Sequence, residues 1–181
     1  MSYVKRFRPK NFSLILMIIF SLMYCSNLLP DDDDLRSKNA SGILAVGQTA
    51  PEFALPTSDG GTLTLASSLA GKNGVVIYFT MWCPVCTSHT DEVVQAIMPS
   101  FPNSRYVLVD YVSSSIAEAA MLKNYGGYDP TGIVVALDKA QTFMNSYGAT
   151  MAYVVIIDRA GKIRMNEVYK RQKMEQILGA L

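Results

Sequence analysis

The run GVVIYFT (Gly74 to Thr80) limits the architecture more than any other stretch of this chain. It is short, uncharged, rich in β-branched residues and apolar at successive positions. An unbroken run of that kind reads as a strand buried on both faces, because a half-exposed strand would alternate. A sheet built on such a strand needs cover on both sides. Two further runs repeat the pattern, RYVLVDYV (Arg105 to Val112) and GIVVALD (Gly132 to Asp138). Between and after them lie helical patterns. Val93, Val94, Ile97 and Met98 recur at helical spacing, with Pro99 and Pro102 expected to end that helix. SSSIAEAAMLKNYGG reads as a serine-capped helix closed by Gly126-Gly127, and KAQTFMNSYG as a shorter one. AYVVIID and KIRMNEVY form two strands joined by the turn DRAG, and KRQKMEQILGAL is a final amphipathic helix. Upstream, GQTAPEFALPTSDGGTLTL alternates around Gly60-Gly61 as a small hairpin should. The fold class is therefore α/β, one sheet with helices on both faces.

The N-terminus speaks to location. Lys5, Arg6, Arg8 and Lys10 precede the apolar run FSLILMIIFSLMY (Phe12 to Tyr24). That run suits a signal peptide and is short for a membrane span of about 20 residues. Cys25 comes immediately after it. LMYC resembles the lipobox of a bacterial lipoprotein, which makes Cys25 a lipidation site, although Tyr24 stands where such signals carry Gly, Ala or Ser. The competing reading is an uncleaved anchor over Phe12 to Leu29, with the basic flank inside and Asp31 to Asp34 outside. A cleaved secretory peptide is the third, without a small-x-small site to support it. All three export the remainder of the chain, and the first two leave it attached to a membrane. The acidic segment SNLLPDDDDLRSKNASG reads as a flexible tether. The expected organisation is residues 1–25 for targeting or anchoring, 26–45 for the tether and 46–181 for one globular domain.

Charge narrows the partners. The whole chain carries a formal +1, and without the four basic residues before Cys25 the remainder carries −3. No basic patch stands out, which argues against nucleic acid. About 140 residues beyond the tether are enough for one domain with its own core.

The chemistry concentrates in YFTMWCPVCTSH (Tyr78 to His89), which holds two of the three cysteines, the only tryptophan and the only histidine. If Cys25 serves the membrane, Cys83 and Cys86 are the remaining pair, too close together for an ordinary structural staple. A CxxC can also be half of a zinc site, but no second CxxC or histidine pair exists to complete four ligands. No metal and no cofactor are expected. His89 lies three residues after Cys86, on the same helical face, where it could tune Cys86 or shuttle its proton; an exposed helix histidine is the plainer alternative. Tyr78 and Phe79 read as core.

From about Val46 to Leu181 the chain resembles the thioredoxin-like redoxins. It is close to the membrane-tethered TlpA/ResA type and to the AhpC/TSA-related branch. The resemblance rests on GQTAPEFALPTSDGGTLTLASSLAGK, on VVIYFTMWCPVC and on YGATMAYVVIIDRAGKI together. It implies a thioredoxin-like fold: a central mixed sheet, helices on both faces, an N-terminal hairpin extension, and a β-α insertion between Tyr106 and Asp138. With a strand ending at Trp82 and a helix starting around Pro84, Cys83 stands at a helix N-terminus. Free N–H groups and the helix dipole favour its thiolate, the attacking species in disulfide exchange. Cys86, one turn in, is the resolving thiol. Pro84 suits the first helical position and leaves the Val85 N–H free to face Cys83, which is expected to lower that thiol's pKa. Trp82 is expected to form a ledge facing the partner.

The family pattern is also broken in places. Asp91 stands where a proline often kinks the active-site helix. Thioredoxin's buried acid falls at Ile77, so the proton acceptor for Cys86 is unassigned. The proline opposite the dithiol falls at Ala152. The Met151–Ala152 bond is accordingly expected to be trans, with both residues still lining the partner groove. The implied activity is that of a membrane-tethered thiol–disulfide oxidoreductase. It would reduce protein disulfides and take electrons from a membrane thiol donor, the oxidising direction staying open. Two other classes remain. Thr80 and Cys83 match the threonine-to-cysteine spacing of peroxiredoxins, against which stand Val76 in place of that motif's proline and the bulk of Trp82. A Sco-like copper chaperone would need one more residue between the cysteines and a second histidine.

Overall fold

The structure, a computed structural model, describes residues 44–181. Cys25, the targeting segment and nearly all of the tether lie outside the described residues. Leu44, assigned to the tether, packs against the core.

A five-stranded sheet organises the domain, in the order β5 (Val134–Leu137), β4 (Ser104–Asp110), β3 (Gly74–Thr80), β6 (Tyr153–Asp158) and β7 (Ile163–Val168). The strand β3 is buried at all seven positions, as its sequence requires. It pairs in parallel with β4 and antiparallel with β6, which makes the sheet mixed. β5 and β7 complete the two sides. The hairpin β1 (Ala54–Pro56) and β2 (Thr62–Thr64) forms a sheet of its own. Bridges from Thr57 to Ala136 and from Thr49 to Lys162 lay the N-terminal segment across β5 and beside β7. Both are outer strands, and covered edges do not template further pairing.

Alternation along β3 splits the core into two faces. Val75, Ile77 and Phe79 join one cluster with the hairpin, α1 (Leu65–Leu69) and α4 (Thr142–Ser146). Val76 and Tyr78 join the other. Helices α2 (Pro84–Glu92), α3 (Ile116–Tyr125) and α5 (Arg171–Gly179) cover that second face.

Three boundaries differ from the sequence expectation. β3 stops at Thr80 rather than Trp82, because Trp82 turns into the left-handed region at φ 58° and its N–H is taken by the Thr80 hydroxyl at 3.0 Å. β4 stops at Asp110, whose carboxylate accepts the N–H groups of Val112 and Ser113, both at 2.9 Å, and so folds the chain away from the sheet. Pro99 does not end the active-site helix. A wide turn over Val93–Ile97, closed by the Met98 N–H on the Val93 carbonyl five residues back, leads into a last helical turn, Met98–Ser100, that contains it. Such a widening relieves the clash a proline ring makes with the preceding turn. Only Pro102 lies beyond the helix.

Candidate active site

The loop Met81–Cys83 delivers Cys83 to the N-terminus of α2. Cys83 is the cap residue: its backbone is extended, and its sulfur accepts the Cys86 N–H at 3.3 Å. Pro84 occupies the first turn, where its missing N–H costs nothing. The two sulfurs lie 2.8 Å apart and both thiols are free. They differ in surroundings. Cys83 is partly exposed and Cys86 is completely buried. Hydrogen bonding from the Cys86 thiol, then from the Cys86 amide, holds the Cys83 pKa below the ordinary thiol range, and the Val85 amide adds to the effect. Burial pushes the Cys86 thiol up, and its contact with Cys83 pushes it further. One sulfur is set to be a thiolate while the other keeps its proton.

Met151 stands against this pair, its sulfur 3.7 Å from that of Cys83. It is 41% exposed, as is Met81, and Val85 is 53% exposed, so the chain around Cys83 presents apolar surface to solvent. The described residues contain no cis peptide bond, so Met151–Ala152 is trans as expected. Ala152 is buried and takes a left-handed backbone, φ 62°, a conformation that alanine adopts at a cost. The N–H that a proline would lack donates to the Phe79 carbonyl at 3.1 Å, and the Ala152 carbonyl accepts the Tyr169 N–H at 2.8 Å. The loop is thereby pinned to β3 on one side and to the residue after β7 on the other.

Trp82 is only half exposed, because its indole N–H donates to Asp110 at 2.7 Å. Asp110 is fully buried and also accepts the Ser113 hydroxyl at 2.5 Å. Sequence reasoning missed this acid. Its one signal was a carboxylate ending an otherwise apolar strand run, a group that cannot stay buried without partners. Thr80 is buried with its hydroxyl on the Trp82 N–H. Asp91, at the family's kink-proline position, accepts the Tyr128 hydroxyl at 2.7 Å.

His89 is neither free nor exposed. Its Nδ1 lies 3.0 Å from the Tyr78 hydroxyl, and its ring stacks on Tyr169 at 4.1 Å and 18°. Tyr169 in turn donates to Glu92 at 2.6 Å, which Arg171 also holds at 2.9 Å. Sequence reasoning gives neither Tyr78 nor Tyr169 a place in the site, because buried tyrosines are common core residues. Ile77 is buried on the opposite face of the sheet. Among the described residues no three His, Cys, Asp or Glu side chains converge as a metal centre would need.

The Redoxin family model matches residues 45–180, almost the whole described domain. The chain belongs to the redoxin family. No curated protein sequence matches it significantly. Solved structures share its fold. A protein assigned as the thiol:disulfide interchange protein DsbE from Chlorobium tepidum is 23% identical, with 76% of this chain and 97% of that one covered and a TM-score of 0.63. The dsbF protein of MTB, solved in mixed oxidised and reduced forms, is 21% identical over 73% and 98%, with a TM-score of 0.59. The peroxidoxin BcpB from Mycobacterium tuberculosis is 18% identical over 76% and 98%, with a TM-score of 0.61. This redoxin thus has the thioredoxin-like fold, shared with proteins named for thiol:disulfide interchange and as a peroxidoxin.

Proposed function

We propose that this redoxin is an exported thiol–disulfide oxidoreductase, held at a membrane through its N-terminal segment, that reduces disulfide bonds in other proteins. The observation that carries the reading is the asymmetric pair: a partly exposed thiol with a lowered pKa, in contact with a buried thiol whose pKa is raised. The Cys83 thiolate attacks a substrate disulfide, forming one S–S bond and releasing one substrate sulfur as thiolate. Cys86 then attacks Cys83, releases the second substrate sulfur and leaves the protein oxidised; two electrons have passed to the substrate. A membrane thiol donor restores the dithiol. The name of the DsbE relative supports exchange, and the basic, apolar N-terminus leading to Cys25 supports export and tethering.

Peroxide reduction is the competing chemistry, favoured by the shared fold of a peroxidoxin and by Thr80 three residues before Cys83. Against it stand Val76 in place of that motif's proline, the bulk of Trp82 beside the dithiol, and the Met151 sulfur against that of Cys83. The test is trapping. Cys86→Ser should accumulate mixed disulfides with protein substrates through Cys83, while Cys83→Ser should neither trap nor reduce. Fast peroxide consumption by Cys86→Ser, without any trapped protein, would move the assignment to peroxidase. Fractionation of cells carrying Cys25→Ala tests the tether: loss from the membrane fraction supports lipidation, and full retention with an intact N-terminus supports the uncleaved anchor.

A further inference from the structure

Resolution requires that Cys86 lose a proton inside the protein, and the position where thioredoxin keeps its acid is Ile77, on the far face of the sheet. What shares the buried cluster with Cys86 instead is Tyr78, whose hydroxyl feels the nearby Cys86 thiol. The other side of that hydroxyl meets His89 Nδ1 at 3.0 Å. A fully buried sulfur, a buried phenol and a half-buried imidazole are thereby gathered on one face of the sheet.

We propose that Tyr78 and His89 are the proton relay of the resolving thiol. As Cys86 attacks Cys83, the Cys86 S–H passes its proton to the Tyr78 oxygen, and the Tyr78 O–H passes its own to His89 Nδ1. The new Cys86–Cys83 bond forms, the bond from Cys83 to the substrate breaks, and the substrate sulfur leaves as thiolate. Tyr78 ends neutral, and the imidazolium releases its proton to solvent or to the departing thiolate. The relay deepens the exchange reading of the dithiol and rests on it.

The chemistry of each group fits its role. Tyr78 cannot be the base, because burial, and then the nearby Cys86, raise its pKa far above the ordinary phenol value. A neutral phenol can still carry a proton between two partners. The acceptor must be a neutral imidazole with Nδ1 unprotonated, and burial holds the His89 pKa below its ordinary value, outweighing the opposing pull of Glu92. The other ionisable neighbours are accounted for. Cys83 and Tyr169 face Tyr78; Tyr111 feels both sulfurs; Glu92 is held by Tyr169 and Arg171, and Arg171 also pairs with Glu175. The stack on Tyr169 fixes the imidazole plane, and Tyr169 is itself anchored through its N–H on Ala152 and its hydroxyl on Glu92.

The test separates the two steps of exchange. The reduced full-length protein is mixed with dithiobis(nitrobenzoate). The first thionitrobenzoate released reports attack by Cys83, and the second reports resolution by Cys86. In Tyr78→Phe, His89→Phe and His89→Gln the second release should slow by about tenfold or more relative to the first. The wild-type second step should also show an acid limb with a midpoint below about 6.5, which all three variants lose. His89→Phe keeps an aromatic ring for Tyr169, and His89→Gln keeps a hydrogen-bond acceptor, so a purely structural role predicts wild-type pH dependence in one of them. Second-phase rates and pH profiles unchanged in Tyr78→Phe, or in both His89 variants, would overturn the relay while leaving the exchange reading intact. A wild type that releases no thionitrobenzoate would sink the exchange reading and the relay with it.

Discussion

The two faces of the sheet are built from one strand and do different work. Toward the hairpin, α1 and α4, β3 sends Val75, Ile77 and Phe79 into a cluster made of aliphatic and aromatic side chains. Toward α2, α3 and α5 it sends Val76 and Tyr78, and there the cluster includes Cys86 and the hydroxyl that meets His89. Parity along a strand thus decides which residue can serve the dithiol. A polar group one position earlier would be buried on the face that has no use for it. The contrast teaches that a departure from a family pattern at one position can be answered by its neighbour, provided the neighbour points the right way.

The sharpest way to break this contrast is to place an acid where thioredoxin has one. Ile77 is fully buried among apolar side chains. Ile77→Asp should therefore cost on the order of 4 kcal/mol, since a carboxylate there finds no partner. Chemical denaturation measures it. Wild-type stability together with faster second-step exchange would mean that the carboxyl reaches the dithiol and the two faces are not separate.

Next in size is the loop on the redox face. A proline at position 152 needs φ near −65°, whereas Ala152 sits at 62°, and it also removes the N–H bonded to Phe79. Ala152→Pro should lose on the order of 3 kcal/mol unless the loop rebuilds around a different peptide geometry. Denaturation combined with protein-disulfide reduction distinguishes the cases. Unchanged stability would show that the loop accommodates the usual family residue without strain.

Trp82 comes third. Trp82→Phe keeps the ring and removes the donor to Asp110, a buried carboxylate left with Ser113 and two backbone amides. The expected loss is about 2 kcal/mol, from the desolvated oxygen. A ledge that served only the partner would weaken substrate trapping and leave the denaturation midpoint where it was.

The sheet, its covered faces and the Cys83–Cys86 pair are legible in the sequence because each rests on local pattern: continuous β-branched runs, helical spacing, and two thiols a turn apart. The relations between distant segments are not. The family position of Trp82 beside the dithiol suggests a partner-facing ledge, but no local pattern announces that Asp110, 28 residues on, holds its indole. Tyr78 reads as core and is core by burial; its role depends on His89, 11 residues away, and on Tyr169, which no periodicity links to either. Pro99 reads as a stop because proline usually is one, and only the wide turn at Val93–Ile97 makes room for it. The trans bond before Ala152 can be inferred from sequence, since the cost of a cis bond without proline is independent of context. The left-handed φ cannot, because it is imposed by the bonds to Phe79 and Tyr169.

That imposed conformation gives the smallest effect and the most direct reading of strain. Alanine in the left-handed region is disfavoured by about 1 kcal/mol or slightly more, and glycine is not. Glycine also adds freedom to the unfolded chain, worth roughly 0.4–1 kcal/mol against folding. The two effects nearly cancel, so Ala152→Gly should change stability by less than about 1 kcal/mol, with any gain on the folded side. Its main-chain bonds to Phe79 and Tyr169 should persist, and so should the Met151 contact with Cys83, leaving the first step of exchange near wild type. Glycine and proline therefore bracket the loop: one fits the observed backbone and the other cannot. If Ala152→Gly destabilises by as much as Ala152→Pro, the methyl group of Ala152 in the redox-face core matters more than its backbone, and the loop is held by packing rather than by its two hydrogen bonds.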